Sequence, residues 1–175
     1  MRISFKHRYV MFDIPKSAST SITFALRGVS ECIIDGNGGA KHMLLADYEE
    51  FLEPFFLKRA GKFVLEFERL AVVREPLDML GSYYKYLRRP AALNPEHPDF
   101  RRHTADVSFA EYAQMVCDRT PNRFSNVTRP SGFVADKDHR IGIDTLFAFE
   151  RLDDLAAHMS EKCGQEINIP QRNVS

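Results

Sequence analysis

The run Tyr9-Val10-Met11-Phe12-Asp13-Ile14 gives way at once to Pro15-Lys16-Ser17-Ala18-Ser19-Thr20-Ser21, and then to a helix-like segment over residues 22–26. A short apolar run, a tight polar turn and a helix start, in that order, confine the chain to folds in which a buried strand hands directly to a helix. The turn then sits at the strand's C-terminal end, where the N–H groups of the helix start face an anion. Lys16 adds a positive charge. Ser17, Ser19, Thr20 and Ser21 add hydroxyl donors small enough to let a phosphate approach. The spacing is not Gly-x-x-x-x-Gly-Lys-[Ser/Thr], because Lys16 precedes the small residues rather than following them.

The same order recurs along the chain. Residues 8–14 predict the first strand, buried on both faces, with Thr20 or Ser21 as N-cap of a helix closing at Gly28. Residues 31–34 predict a short strand. A glycine-rich loop over 35–40 would then let Lys41 and His42 reach a ligand. Asp47 with Glu50 reads as a capping box for a helix interrupted near Pro54, whose Phe51, Leu52, Phe55 and Phe56 form a core stripe. Residues 67–74 predict a central strand ending at Arg74. Pro76 opens a helix with Leu77, Leu80, Tyr83, Tyr84 and Leu87 at helical spacing and Ser82 upon it. Residues 90–106, rich in proline and charge, predict a mobile loop suited to a lid. Ser108 with Glu111 predicts a helix start, residues 133–134 a short extended piece, residues 143–149 a strand, and residues 152–163 a helix ended by Gly164. Helices alternating with buried strands predict an α/β three-layer sandwich around a central, mostly parallel sheet, with ligands at the strands' C-terminal edges.

At 175 residues the chain reads as a single domain over residues 1–175, long enough to bury roughly two-thirds of the surface its unfolded form exposes. The 24 basic and 24 acidic residues cancel, which argues against nucleic-acid binding through bulk charge. Cys32, Cys117 and Cys163 share no Cys-x-x-Cys spacing, so neither a zinc site nor a disulfide framework is expected. They read as reduced, mostly buried thiols of a cytoplasmic protein. The first residues lack the apolar segment of a signal peptide, and no run approaches the ~20 residues of a membrane span.

Two basic strand-end turns are more specific than one. Pro15-Lys16-Ser17-Ala18-Ser19-Thr20-Ser21 resembles the 5′-phosphosulfate loop, Pro-Lys-[Ser/Thr]-[Gly/Ala]-[Ser/Thr]-[Ser/Thr], of the sulfotransferases that use 3′-phosphoadenosine 5′-phosphosulfate (PAPS), the Golgi-carbohydrate type and its bacterial relatives. Val72-Val73-Arg74-Glu75-Pro76 through Ser82-Tyr83-Tyr84 resembles the family's 3′-phosphate element, Arg-[Asp/Glu]-Pro followed by Ser-x-Tyr. Lys41-His42, Phe149-Glu150 and Ile169-Pro170-Gln171-Arg172-Asn173-Val174-Ser175 are similar to further family segments in the expected order. The resemblance implies a P-loop-NTPase-like sulfotransferase fold and metal-independent transfer from PAPS, with adenosine 3′,5′-bisphosphate as product. The acceptor would be a small molecule or carbohydrate carrying a hydroxyl or amine.

By the same resemblance, Lys16 would bind the bridging or leaving oxygen. The amides of Ser17, Ala18, Ser19, Thr20 and Ser21, with the hydroxyls, would hold the 5′-phosphate. Arg74 would pair with the 3′-phosphate, and Ser82 would add a hydrogen bond. His42 is the candidate base, with Glu66, Glu68 or Asp13 as substitutes. Glu150 is expected to lie buried against an arginine, Arg88 and Arg89 to end their helix, and His7, His97, His103, His139 and His158 to be surface residues. The chain departs from the family in three ways. Met79 stands where many members carry arginine, no final helix follows Ser175, and the acceptor-binding insertions are reduced. Two other readings stay open. One is a kinase of the related nucleoside-kinase architecture, weakened by the missing Walker A spacing and magnesium carboxylate. The other is a nucleotide-binding module without catalysis.

Overall fold

In the computed structural model, which describes residues 1–36, 38–118, 120–125, 127 and 129–170, every residue of the strands β1 (Arg2–Ser4) and β2 (Tyr9–Phe12) is buried. A strand covered on both faces calls for an apolar residue at each position. Tyr9-Val10-Met11-Phe12 supplies them, whereas β1 carries the charge of Arg2 into the interior. The chain continues through α1 (Ser19–Leu26), a 3-10 turn (Arg27–Val29), β3 (Cys32–Ile33), α2 (Gly38–Lys41), α3 (Leu45–Asp47), a π turn (Tyr48–Leu52), α4 (Glu53–Ala60) and β4 (Glu68–Val73). Then come α5 (Pro76–Leu87), α6 (Phe109–Cys117), α7 (Pro130–Val134), β5 (Thr145–Ala148), a 3-10 turn (Phe149–Arg151) and α8 (Leu152–Cys163). The Gln171–Ser175 part of the last family-like segment, and Asn37 of the glycine-rich loop, lie outside the described residues.

The described residues divide into two compact units. One comprises Met1–Arg74 and the residues from Arg129 on, the other the stretch Glu75–Thr128. The first holds a five-stranded sheet of order β3-β1-β2-β4-β5. The β2–β4 and β4–β5 pairs are parallel, but β1 pairs antiparallel with both β2 and β3. The sheet is therefore mixed, not mostly parallel. Three residues, one of them arginine, give no strand pattern in the sequence, and it is this strand, β1, that turns half the pairings antiparallel.

Side chains alternate across the sheet. Val10, Phe12 and Ala71 pack with Leu45, Tyr48, Phe133 and Val134 on one face. Tyr9, Met11, Leu70, Val72 and Phe147 pack with Ile22, Leu26, Leu155 and Met159 on the other. Helices thus cover both faces. α8 keeps the predicted bounds, with Gly164 left-handed (φ 65°) as its stop.

Several local expectations change. Asp47 lies within the helical run, which starts at Leu44 with no side-chain cap. Pro54 lacks an N–H and its ring crowds the carbonyl four residues back. Just ahead of it the helix widens, so that the Glu53 N–H bonds the Tyr48 carbonyl five residues earlier. From the end of that turn on, Leu52 and Phe56 pack inward, but Phe51 and Phe55 are 61% and 53% exposed rather than core. Residues 133–134 are helical, not extended, with Pro130 in the first turn of α7. Half of the glycine-rich loop is the helical turn α2. Cys117 is exposed.

In the second unit, Glu75 caps α5 by accepting the Asp78 N–H at 2.9 Å, and Ser108 with Glu111 forms the predicted capping box of α6. Leu87, Tyr112 and Phe124 make its core. Residues 90–106 contain two 3-10 turns. They are tied back to α5 by buried Thr104, whose hydroxyl donates to the Tyr84 carbonyl at 2.8 Å. Arg88 is the C-cap of α5, its N–H donating to the Lys85 and Tyr86 carbonyls, while its guanidinium donates to the Tyr84 hydroxyl and the Thr104 carbonyl (2.7 and 3.0 Å).

A buried ion cluster ties the first unit together. The Asp13 carboxylate, just past β2, pairs with the Arg2 guanidinium and with the Met1 amino group at 2.6 Å, all fully or nearly fully buried. Arg2 also donates to Thr23 Oγ1 on α1. Removing one member of such a cluster leaves a buried charge unmatched. Asp13→Ala is expected to lower stability in urea denaturation by about 3–5 kcal/mol. Arg8→Ala, which breaks an ion pair with Glu66 whose side chains are 58% and 64% exposed, should cost at most about 1 kcal/mol.

Candidate functional site

The turn after β2 is built by backbone handedness. Lys16 (φ 65°) and Ala18 (φ 58°) are left-handed, while Ser17 between them is not and Ser19 begins α1. Alternating handedness of this kind turns successive N–H groups to one side, a concave arrangement suited to an anion. A 3.4 Å bond from the Ser17 N–H to the Ile14 carbonyl closes the turn. The N-cap is Ala18 rather than the expected Thr20 or Ser21, so no side chain caps α1, and its first turn contains no carboxylate. The first helical bond runs from the Ile22 N–H to the Ala18 carbonyl (3.0 Å), which leaves the amides of Ser19, Thr20 and Ser21 ahead of the helical ladder. The helix ends at Leu26 and tightens into a 3-10 turn instead of closing at Gly28. Ser17, Ser21 and Thr23 are buried, Lys16 and Ser19 half-buried, Thr20 exposed.

Arg74 follows the last residue of β4 and reaches this turn. Its Nη1 donates to the Lys16 carbonyl at 3.2 Å, and its guanidinium carbon lies 4.2 Å from the centre of the Phe149 ring. Parallel pairing of β2 with β4 sets the two strand ends side by side, as ligand sites on such sheets require. Two donors here are buried with no hydrogen-bond partner, Ser17 Oγ and Arg74 Nε. Nε can only donate, so the pair asks for an acceptor, and an anion with several oxygens suits both.

His42 comes to the same edge. Its Nδ1 lies 2.6 Å from the Asp13 carbonyl. A carbonyl only accepts, so Nδ1 carries the proton and Nε2 keeps its lone pair. Burial, and then the nearby Lys41 charge, push the His42 pKa down from 6.5 to about 4. The neutral ring is therefore the resting form. Lys41 itself pairs with Asp35 at 3.1 Å.

The substitute bases are occupied elsewhere. The Asp13 carboxylate is inside the ion cluster. Glu66 pairs with Arg8 at the surface. Glu68 opens β4 at the opposite end of the sheet and is bound by Thr145 (2.7 Å), His158 (3.1 Å) and Lys162 (2.7 Å). His158 is thus half-buried with Nε2 3.1 Å from the Glu68 carboxylate rather than a plain surface residue. Glu150 is exposed; the neighbour that meets an arginine is Phe149. Ser82 and Met79 are buried on α5 in the second unit. Among the described residues, no cluster of three or more His, Cys, Asp or Glu side chains is placed to hold a metal, and no helix is long and apolar enough to cross a membrane. Arg2 escaped the sequence because it lies in an unmarked strand; Phe149 is singled out only by the resemblance, and its place beside Arg74 is set by strand register. No protein-family model, curated protein or solved structure matches the chain.

The depressed His42 pKa has a pH signature. Between pH 6.5 and about 4, the unfolded chain binds a proton at this ring that the folded chain refuses. Folding stability should therefore fall as pH drops through that window, and this residue should contribute no pH dependence above it. Urea midpoints measured from about pH 7.5 to 4.5 should fall less steeply in His42→Gln, whose amide can still donate to the Asp13 carbonyl without titrating.

Proposed function

We propose that this chain is a sulfotransferase that takes its sulfuryl group from PAPS and passes it to an acceptor hydroxyl or amine. The observation that carries this reading is the meeting of two basic strand-end turns. Arg74 bonds the backbone of the Lys16 turn, and both turns present buried donors without an acceptor. The sequence resemblance assigns the same two turns to the 5′-phosphosulfate and the 3′-phosphate of one nucleotide. When bound, that nucleotide supplies an activated sulfuryl group and a phosphate leaving group.

The residues then divide the work. The turn from Lys16 to Ser19 and the uncapped start of α1 hold the 5′ oxygens. Lys16 gathers charge as it moves to the leaving side, stabilisation that is worth most in the transition state. Arg74 takes the 3′-phosphate with its in-plane donors. His42 Nε2 accepts the proton of the acceptor group. Anionic oxygens close to the ring offset the burial that depresses its pKa, and so bring its basicity towards the working pH. Ser82 is held to its 3′-phosphate role by the resemblance alone.

Calorimetric titration with adenosine 3′,5′-bisphosphate, beside ATP and GTP with magnesium, tests the reading. Selective binding of the bisphosphate is expected, weakened about tenfold or more in Lys16→Ala and in Arg74→Ala, since charge-assisted hydrogen bonds are each worth about 1.5–3 kcal/mol. Preference for ATP or GTP would replace this proposal with a kinase. In a transfer assay from PAPS, His42→Ala should lose turnover by about 100-fold or more while keeping bisphosphate affinity. Undiminished turnover would remove His42 from the role of base.

A further inference from the structure

β4 and β5 run parallel, and their last paired residues are Val73 and Ala148. The next residue on each strand is therefore a lateral neighbour of the other, and these residues are Arg74 and Phe149. Their side chains meet with the guanidinium carbon 4.2 Å from the ring centre, inside the distance at which a cation is drawn to an aromatic face. Phe149 is half-buried and packs against the core cluster that holds Leu70, Val72 and Phe147, so its ring is fixed from behind. Arg74 thus has its guanidinium over the Phe149 ring, the Lys16 carbonyl on Nη1 at 3.2 Å and a buried Nε without a partner.

That combination differs from an arginine held by a carboxylate. An ion pair would orient the guanidinium but cancel its charge. A ring orients it and leaves the charge and the in-plane donors for a ligand. We infer that Phe149 is the positioning residue that makes the site selective for a nucleotide bearing a 3′-phosphate, by holding Arg74 edge-on at the end of β4. The inference rests on the proposed role of Arg74 and adds the residue on which that role depends.

The test compares the affinities of adenosine 3′,5′-bisphosphate and adenosine 5′-monophosphate for the full chain. In the wild type the bisphosphate should bind more tightly. In Phe149→Leu that preference should shrink about tenfold, while affinity for the monophosphate, held by the Lys16 turn, stays within about twofold. Phe149→Tyr keeps a ring and should keep the preference. Phe149→Met, closer in volume, repeats the measurement if the leucine variant does not fold. A wild type that prefers the bisphosphate, with the preference unchanged in both aliphatic variants, overturns the role of Phe149 alone. A wild type that binds the two nucleotides equally overturns the 3′-phosphate role of Arg74, and this inference with it.

Discussion

The Asp13 carboxylate meets the Arg2 guanidinium and the Met1 amino group in a place that water does not reach. Moving such charges out of water costs several kcal/mol each, and their mutual attraction does little more than offset that cost. Its value lies in what is tied to it. The Met1 amino group also donates to the Ile34 and Lys41 carbonyls at 3.0 Å, fixing the chain on either side of the glycine-rich loop. Arg2 bonds Thr23 Oγ1, which donates in turn to the Ser19 carbonyl at 2.7 Å in the first turn of α1. The backbone carbonyl of Asp13 orients His42. The Lys16 turn, the helix start and the imidazole are all referred to one buried carboxyl-bearing residue at the end of β2.

The two ends of β4 differ in how their polar groups are met. At its start Glu68 binds Thr145, His158 and Lys162 and is satisfied by them. At its other end Arg74 meets the Lys16 turn, and Arg74 Nε and Ser17 Oγ are buried without a hydrogen-bond partner. Satisfied partners at one edge and unmet donors at the other distinguish the two ends more clearly than counting charges does. The formal charge of the whole chain is zero.

Much of this was legible in the sequence where the signal is local. The apolar run of β2, the small residues after it, the Ser108–Glu111 box and the Gly164 stop need only their neighbours to form. The features that escaped depend on distant partners. β1 is three residues long and its arginine is invisible to hydrophobic patterning, because only Asp13 makes its burial tolerable. Phe149 stands beside Arg74 only through the β4–β5 register. Lys16 and Ala18 are left-handed without being glycine, so composition gives no hint of it. The π turn before Pro54 adds a residue to one helical turn and rotates the residues of α4 by about 100°. For that reason the aromatic stripe read from a regular helix does not match the buried one.

Two non-glycine residues in the left-handed region each sit roughly 1–2 kcal/mol above ordinary backbone. They stay there because Ile14, Arg74 and the first turn of α1 hold the turn from three sides. A loop held in one shape has little to rearrange on meeting a ligand. Under the proposed function, encounter then governs how fast an anion is captured, and added salt slows that capture by screening. Differences between one anion and another are left to appear in how long each remains bound.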